Sequence, residues 1–361
     1  MKTLVLSGIN LFEAGPLSIY YDCLDELLKK GVDKEYKIVA FVHKLDLFKK
    51  YEKKAEFIEL PDSRDSYIKR LWYEYFYFYS YSKSKEIDVW ISLHDITPRV
   101  KAKKLYTYCH NPSPFMKKDI SKIKYSPTNV AFSYFYKYLY RINIKSATAI
   151  IVQQNWMRKQ FLQMYPIHDV IVARPNFNIN FESNAEEIKS DKCIFMFASY
   201  PRFFKNFEVI CESCRKFESD DYEVWLTLDG TENIYSEDLK RKYGDIKNIK
   251  WLGIQPRDTV FKMYNQASAL IFPSVLESWG LPISEFKLTG KPMFLADMPY
   301  AKETLGTYDK VSFFDPKNAN ELSCLMESFV KGTIHFSGNS GEIVDNPFAE
   351  NWSELLEMIL G

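Results

Sequence analysis

No apolar run in the 361 residues approaches the roughly 20 that a membrane-spanning helix requires, so an integral membrane protein is not expected. Cysteines number six, and no two CxxC pairs occur. Cys211 and Cys214 lie three apart, with no histidine or second pair near them. Reduced core or surface thiols in a cytoplasmic protein follow from that pattern, rather than a thiolate metal site or a disulfide framework. No metal-ligand motif is present, and metal independence is the expectation. The first strand pattern is not followed by GxGxxG. Met1–Ser7 already reads as a strand, so no secretory leader is expected there.

What is present is enough for two cores. The chain is 46% hydrophobic and carries 27 Phe and 25 Tyr, many of them clustered. A net charge of +1 conceals an asymmetry. Residues 1–178 hold 29 Lys and Arg against 18 Asp and Glu, and residues 179–361 hold 19 against 29. Between Ile96 and His168 the sole acid is Asp119. A basic front half implies an anionic partner. No recognition motif for nucleic acid accompanies the charge, so an anionic membrane surface or a pyrophosphate-linked acceptor is the better match.

The most informative stretch is Ala269–Met298, ALIFPSVLESWGLPISEFKLTGKPMFLADM. Ala269–Phe272 is a short apolar run closed by Pro273, as a strand buried on both faces would be. Gly280 permits a sharp reversal, and Pro282 suits the first turn of a helix. Gly290 is a left-handed stop, after which Lys291–Ala296 resumes as a strand. Glu277 stands in the loop and Glu285 one turn into the helix, with seven residues between them. A carboxylate accepts hydrogen bonds from vicinal hydroxyls, and free N–H groups at a helix start favour an anion. That combination suits a sugar attached to a phosphate.

Taken in order, strand-like runs at Lys2–Ser7, Tyr36–Val42, Glu56–Leu60, Asp88–Leu93, Leu105–Cys109, Ala147–Val152 and Val170–Arg174 alternate with helical stretches. This predicts a parallel, doubly wound α/β sheet. Gly8 and Gly15 border the first loop, before a helix from about Ser18 to Lys30. Leu71–Tyr81 (LWYEYFYFYSY) is aromatic on every side and suits either core or a membrane or partner surface. Phe132–Tyr140, among Lys137, Arg141 and Lys145, is the better membrane candidate. His110 ends one strand and His94 the one before it. At a strand's carboxyl end a histidine faces the ligand crevice. Asn178–Asp191 is polar and acidic and reads as a linker. A second series of strands begins at Cys193–Ala198 and continues at Val224–Leu228, Ile249–Gly253, Ala269–Phe272, Lys291–Ala296 and Val311–Phe314. Arg202 and Lys205 follow the first of them, ahead of a helix, where two cations suit a diphosphate. The terminal AENWSELLEMIL is amphipathic.

Glu277 and Glu285, with FPS before, GLP between and GKP after, resemble the E-x7-E signature of retaining GT-B glycosyltransferases of family 4, the glycosyl transferases group 1 proteins. The resemblance covers most of the chain and implies two Rossmann-like domains facing each other across a cleft. Residues 1–178 would bind the acceptor and 179–361 the nucleotide sugar, with a last helix at about 349–360 packing back toward the first domain. It implies Arg202 and Lys205 on the donor diphosphate, Glu277 and His110 on the donor sugar and Glu285 on the ribose. Trp279, Gly280 and Leu281 would offer backbone N–H groups, Gly253 and Ile254 would border the base, and Gly15 would lie near the phosphates and acceptor. Pro175-Asn176-Phe177 matches the hinge, with Phe177 in place of the family's glycine. The implied reaction moves a sugar from a UDP- or GDP-linked donor to a hydroxyl, with a lipid-linked oligosaccharide at the cytoplasmic membrane face as the preferred acceptor. A nucleotide-sugar epimerase, a sugar phosphorylase and a non-catalytic nucleotide-sugar-binding module remain open on the same fold.

Overall fold

The computed structural model describes residues 1–12, 14–176 and 191–361. Phe177 of the expected hinge, and nearly all of the expected linker 178–191, lie outside the described residues. The chain divides into two compact units. The first is Met1–Phe115, Tyr134–Phe177 and Val344–Gly361; the second is Met116–Ser133 and Asn178–Ile343. Besides the C-terminal segment 344–361, which lies in the first unit, residues 116–133 depart from a single cut at 178 and join the second unit.

In the first unit the described strands are β1 (Lys2–Ser7), β2 (Tyr36–Val42), β3 (Glu56–Glu59), β4 (Val89–Ser92), β5 (Lys104–Cys109), β6 (Ala149–Val152) and β7 (Val170–Ala173), with Phe348–Ala349 beside β7. All pair in parallel, in the order β3-β2-β1-β4-β5-β6-β7. Strand side chains point alternately to opposite faces, and here both faces are covered. Leu4, Leu6, Ile38, Ala40, Val89 and Ile91 join a core with Tyr20, Leu24 and Trp352. Val5, Val39, Phe41 and Trp90 join a second core with Tyr73 and Phe78. Continuous apolar strands are what a two-sided sheet demands.

The helix Ala14–Lys29 starts before the expected Ser18. Gly15 is consequently in its first turn rather than in the loop, and a Cβ there would meet nothing within 4 Å. Gly8 is the glycine that the loop needs, because a Cβ would lie 2.5 Å from the Tyr20 ring. The aromatic stretch forms one helical run with a π-helical turn at Tyr73–Tyr77. Its inner face is core, since Phe78 packs 4.8 Å from Phe41 and 5.2 Å from Trp90, whereas Trp72 and Phe76 are exposed.

The terminal helix Trp352–Leu360 packs in the first unit. Trp352 stacks on Tyr108 at 5.2 Å, Lys30 Nζ lies 2.5 Å from Glu357 Oε1, and the Tyr106 hydroxyl donates to the Ile359 carbonyl.

The second unit holds β8 (Cys193–Phe197), β9 (Tyr222–Leu226), β10 (Ile249–Trp251), β11 (Ala269–Phe272), β12 (Met293–Ala296), β13 (Thr307–Tyr308), β14 (Val311–Phe314) and β15 (Asn339–Ser340). Its main sheet is parallel in the order β10-β9-β8-β11-β12-β14, and β13 and β15 form a small antiparallel pair. Both main sheets reverse direction beside their first strand, between β1 and β4 and between β8 and β11. Such reversals are where the loops at the strands' carboxyl ends part. Among the described residues no helix is long and apolar enough to cross a membrane.

Trp352 is 1% exposed in the first core. Trp352→Ala is expected to lower the unfolding free energy by about 3–5 kcal/mol, read from the urea midpoint of the full chain.

Candidate functional site

The site in the second unit is assembled by the loops after β8 and β11. Phe203–Lys205 is a single 3-10 turn, and Asn206 after it adopts φ 58°, ψ 44°. In that left-handed conformation its side-chain amide donates to the carbonyls of Pro273 at 3.3 Å and Pro316 at 2.8 Å. The Phe204 carbonyl accepts from Val275 N–H at 2.9 Å and from the Ser274 hydroxyl at 3.2 Å. These bonds hold one loop against the other. They bring Lys205 Nζ to 2.5 Å from Glu277 Oε1, with only 15% and 14% of the two side chains exposed. Screening is weak at that exposure, so removing one charge leaves the other poorly compensated. Arg202 is exposed, its guanidinium 5.9 Å from the Tyr200 ring centre and 6.0 Å from that of Phe204.

The loop after β11 is itself tied down. The Tyr300 hydroxyl donates to the Ser274 carbonyl at 2.6 Å, Trp279 Nε1 donates to the Ser284 hydroxyl at 3.0 Å, and the Thr304 hydroxyl donates to the Trp279 carbonyl. Gly280 turns the chain at φ 89°, ψ 57° into the short helix Leu281–Lys287, and Leu281 is exposed at its start.

Glu285 is nearly buried. Arg257 Nη2 donates to its Oε1 at 3.0 Å and the Tyr264 hydroxyl to its Oε2 at 3.3 Å. Burial pushes its carboxyl above the usual range, and Arg257 and Tyr264 partly offset that. The Arg257 guanidinium arm is 67% exposed, so solvent screens this pair more than Lys205–Glu277. Gly253, at φ 67°, passes close to Asp229, whose Oδ2 would lie 3.1 Å from a Cβ. Ile254 is exposed. The second unit thus contains two clusters: Lys205 with Glu277, near Arg202, and Glu285 with Arg257 and Tyr264, close in sequence to Gly253 and Ile254. The Trp279–Ser284 bond links the loop of the first to the helix of the second.

His110 and Gly15 belong to the first unit. There Asp95, at φ 74°, accepts at Oδ1 from the His110 and Asn111 N–H groups at 2.8 and 2.9 Å and from the Tyr140 hydroxyl at 3.2 Å. His110 keeps 14% of its side chain exposed. His94 is fully buried, so it cannot meet a ligand directly. Asp95, Arg257 and Tyr264 were not singled out from sequence. Only Asp95 carried a local sign, its place beside a histidine at a strand's end. Among the described residues no group of three or more His, Cys, Asp or Glu converges as a metal site.

Residues 178–343, which lie in the second unit, match the family described as Glycosyl transferases group 1. Solved structures share the fold over nearly the whole chain. The lipopolysaccharide outer core galactosyltransferase WaaB superposes with a TM-score of 0.63 at 12% identity, covering 93% of this chain and 92% of that one. WaaG, a glycosyltransferase of lipopolysaccharide biosynthesis, gives 0.62 at 13%, covering 91% and 92%. HepE from Anabaena, solved with UDP and glucose, gives 0.57 at 14%, covering 92% and 91%. The fold is therefore that of GT-B glycosyltransferases. By sequence, the O-antigen chain mannosyltransferase RfbU of Salmonella typhimurium is 21% identical over 226 residues, 60% of this chain and 62% of that protein. An uncharacterized glycosyltransferase of Methanocaldococcus jannaschii is 23% identical over 146 residues, 40% of this chain and 37% of that protein. The chain thus spans less than two thirds of the length of either of these relatives.

Gly280→Ala is expected to cost about 1–2 kcal/mol, because a side chain at positive φ strains the turn. A Cβ there would also lie 3.4 Å from Ile283 and Tyr300. Thermal unfolding of the variant checks it.

Proposed function

We propose that this chain is a retaining glycosyltransferase of family 4, moving a sugar from a nucleoside-diphosphate donor to a hydroxyl acceptor. The observation that carries the reading is the Lys205–Glu277 pair at the reversal of the second sheet. A cation and a carboxylate held together there offer opposite charges to the two halves of a phosphorylated sugar. The donor's diphosphate takes Lys205 Nζ, releasing Glu277 to accept hydrogen bonds from sugar hydroxyls. Glu285, freed from its exposed partner Arg257, accepts from the ribose. Gly253 and Ile254 border the base, and N–H groups around Trp279–Leu281 meet the donor. His110 is assigned to the donor sugar and Gly15 to the phosphates and acceptor.

Breaking the anomeric bond leaves negative charge on the departing phosphate oxygen and positive charge on the sugar ring. Lys205 and Arg202 are in place before that charge grows, which is the condition for electrostatic stabilisation without reorganisation. The departing oxygen takes the acceptor's proton, and the hydroxyl attacks the same face, so configuration is retained. Two protein cations do here what a divalent ion does elsewhere, and transfer continues in chelator.

The acceptor we assign is a lipid-linked oligosaccharide of bacterial surface polysaccharide synthesis, met at the inner face of the cytoplasmic membrane. The names of RfbU, WaaB and WaaG support that class. So does the helix Pro127–Arg141, where Phe135 and Tyr138 are exposed on a line continued by Ile142, beside exposed Arg141 and Lys145. Aromatic and basic side chains on one face suit an anionic headgroup layer.

A thermal-shift screen with UDP, GDP, UDP-glucose, UDP-galactose and GDP-mannose identifies the donor, and turnover with the best of them tests the activity. Lys205→Ala is expected to lower kcat by about 100- to 1000-fold and to weaken donor binding by less than that; near-normal kcat refutes its role. Glu285→Gln is expected to weaken donor binding about tenfold, and unchanged affinity refutes the ribose assignment. Flotation with anionic liposomes should decline as salt rises, and absence of flotation at low salt ends the membrane proposal.

A further inference from the structure

The reversal between β1 and β4 in the first unit holds a polar cluster that the proposed reaction leaves unused. Glu74 sits on the π-helical turn and is fully buried. Wider turns of this kind re-aim a side chain and recur at functional sites. Its Oε1 lies 2.6 Å from His94 Nε2, a close contact bent from ideal hydrogen-bond alignment, and neither atom has another partner among the described residues. Glu74 Oε2 has no partner at all there. On the other side of the ring, His94 Nδ1 lies 2.6 Å from Asn10 Oδ1. Arg70, also buried, donates from Nη2 to the His94 carbonyl at 2.7 Å and stands 3.5 Å from Nδ1.

These contacts decide where the protons are. A carboxylate with so few donors is poorly stabilised when buried, and burial holds the Glu74 carboxyl up at about 8 despite Arg70. An imidazolium ring beside the Arg70 guanidinium is disfavoured, and burial and Arg70 together lower the His94 pKa well below its usual value. Nδ1 faces the Asn10 oxygen at 2.6 Å and the Arg70 donor at 3.5 Å, and since Arg70 Nη2 already donates to the His94 carbonyl, the shorter contact places the proton of the neutral ring on Nδ1. Nε2 therefore presents a lone pair, and Glu74 is the acid that shares its proton with it. With its Oδ1 so engaged, half-buried Asn10 is left to offer its side-chain N–H groups at the carboxyl end of β1.

We propose that Glu74 and His94 are positioning residues that, as a neutral pair, hold Asn10 as a hydrogen-bond donor to the acceptor's hydroxyl-bearing sugar. This rests on the glycosyl-transfer reading. Ionisation of Glu74 inverts the arrangement: the carboxylate requires a proton on Nε2, Nδ1 becomes an acceptor, and the Asn10 amide turns its nitrogen inward. Asn10 then offers an oxygen outward. Among the described residues the other titratable or charged groups facing the pair are Arg70, Tyr67 and Tyr75 on the same helical run, Asp95 after β4, His110 after β5, and Tyr136 and Tyr140 on the helix Pro127–Arg141. Burial pushes Tyr75, Tyr136 and Tyr140 far above neutrality, whereas it holds the Glu74 carboxyl at about 8.

The first test needs no substrate. Ring ¹⁵N spectra of the histidine-labelled full chain, with His94 assigned by comparison with His94→Gln, should show a neutral Nδ1–H ring at pH 7 that changes tautomer through about pH 8. In Glu74→Gln, whose amide can donate to Nε2 at any pH, the Nδ1–H form should persist to pH 9. An imidazolium or an Nε2–H ring at pH 7 overturns the pair. The second test uses octyl mannoside and octyl galactoside as acceptors. Acceptor KM of the parent should rise about tenfold from pH 7 to 9, the loss of roughly one hydrogen bond. That of Glu74→Gln should stay within about threefold, with donor affinity unchanged in both. Equal pH profiles for parent and Glu74→Gln overturn the positioning role. If no donor and acceptor pair turns over, the proposed function fails, while the ring spectra still decide the pair.

Discussion

In a parallel sheet whose strand order reverses, the two loops beside the reversal run apart and leave an opening that neither strand can fill. The second unit closes that opening with Lys205 and Glu277, and much of its local architecture serves to hold them. Asn206 accepts a left-handed backbone so that its amide can reach Pro273 and Pro316. Phe204 gives its carbonyl to the opposite loop, and Tyr300 supports that loop through the Ser274 carbonyl. Two largely shielded opposite charges are tolerable together and unfavourable apart. A phosphorylated ligand is the kind of molecule that can replace both partners at once.

The first unit has the same reversal and fills it differently. Between β1 and β4 it places groups that are almost wholly buried: Arg70, Glu74, His94 and Asp95. Their charges are matched internally, and the arrangement looks outward through Asn10 and His110. One strand order therefore supports two solutions, an ion pair near the surface and a buried network behind polar side chains. The covering helices account for much of the difference. Tyr73 and Phe78 seal one face of the first sheet with the same helical run that carries Glu74 into the interior.

The apolar strands were legible because burial on both faces leaves an uninterrupted run of large side chains. Lys2–Ser7, Tyr36–Val42, Ala269–Phe272 and Val311–Phe314 have the bounds their sequence implies. Gly280 and Gly290 were legible for a related reason, since both occupy the positive φ that few other residues adopt. Leu71–Tyr81 misled. Its aromatics on every side hid a helical run with a buried face and an exposed one, and its single acid passed unnoticed. Nothing local to Glu74 says that a π-helical turn will point it at His94. Arg257 was equally invisible, because a charged residue at a helix start is unremarkable until Glu285 is found beside it.

Taken alone, the sequence determined the alternation of strands and helices, the reversals marked by glycine and the two carboxylates flanking the turn at Gly280, because each depends on neighbours within about ten residues. Only the tertiary structure decided that Lys205 meets Glu277 across 72 positions, that Glu285 faces Arg257, and that His94 is sealed between Glu74 and Asn10. It also decided that residues 116–133 leave the first unit for the second. Periodicity is a property of a segment, whereas charge pairing depends on distances in space, and those exist only once the sheets have fixed the order of their strands.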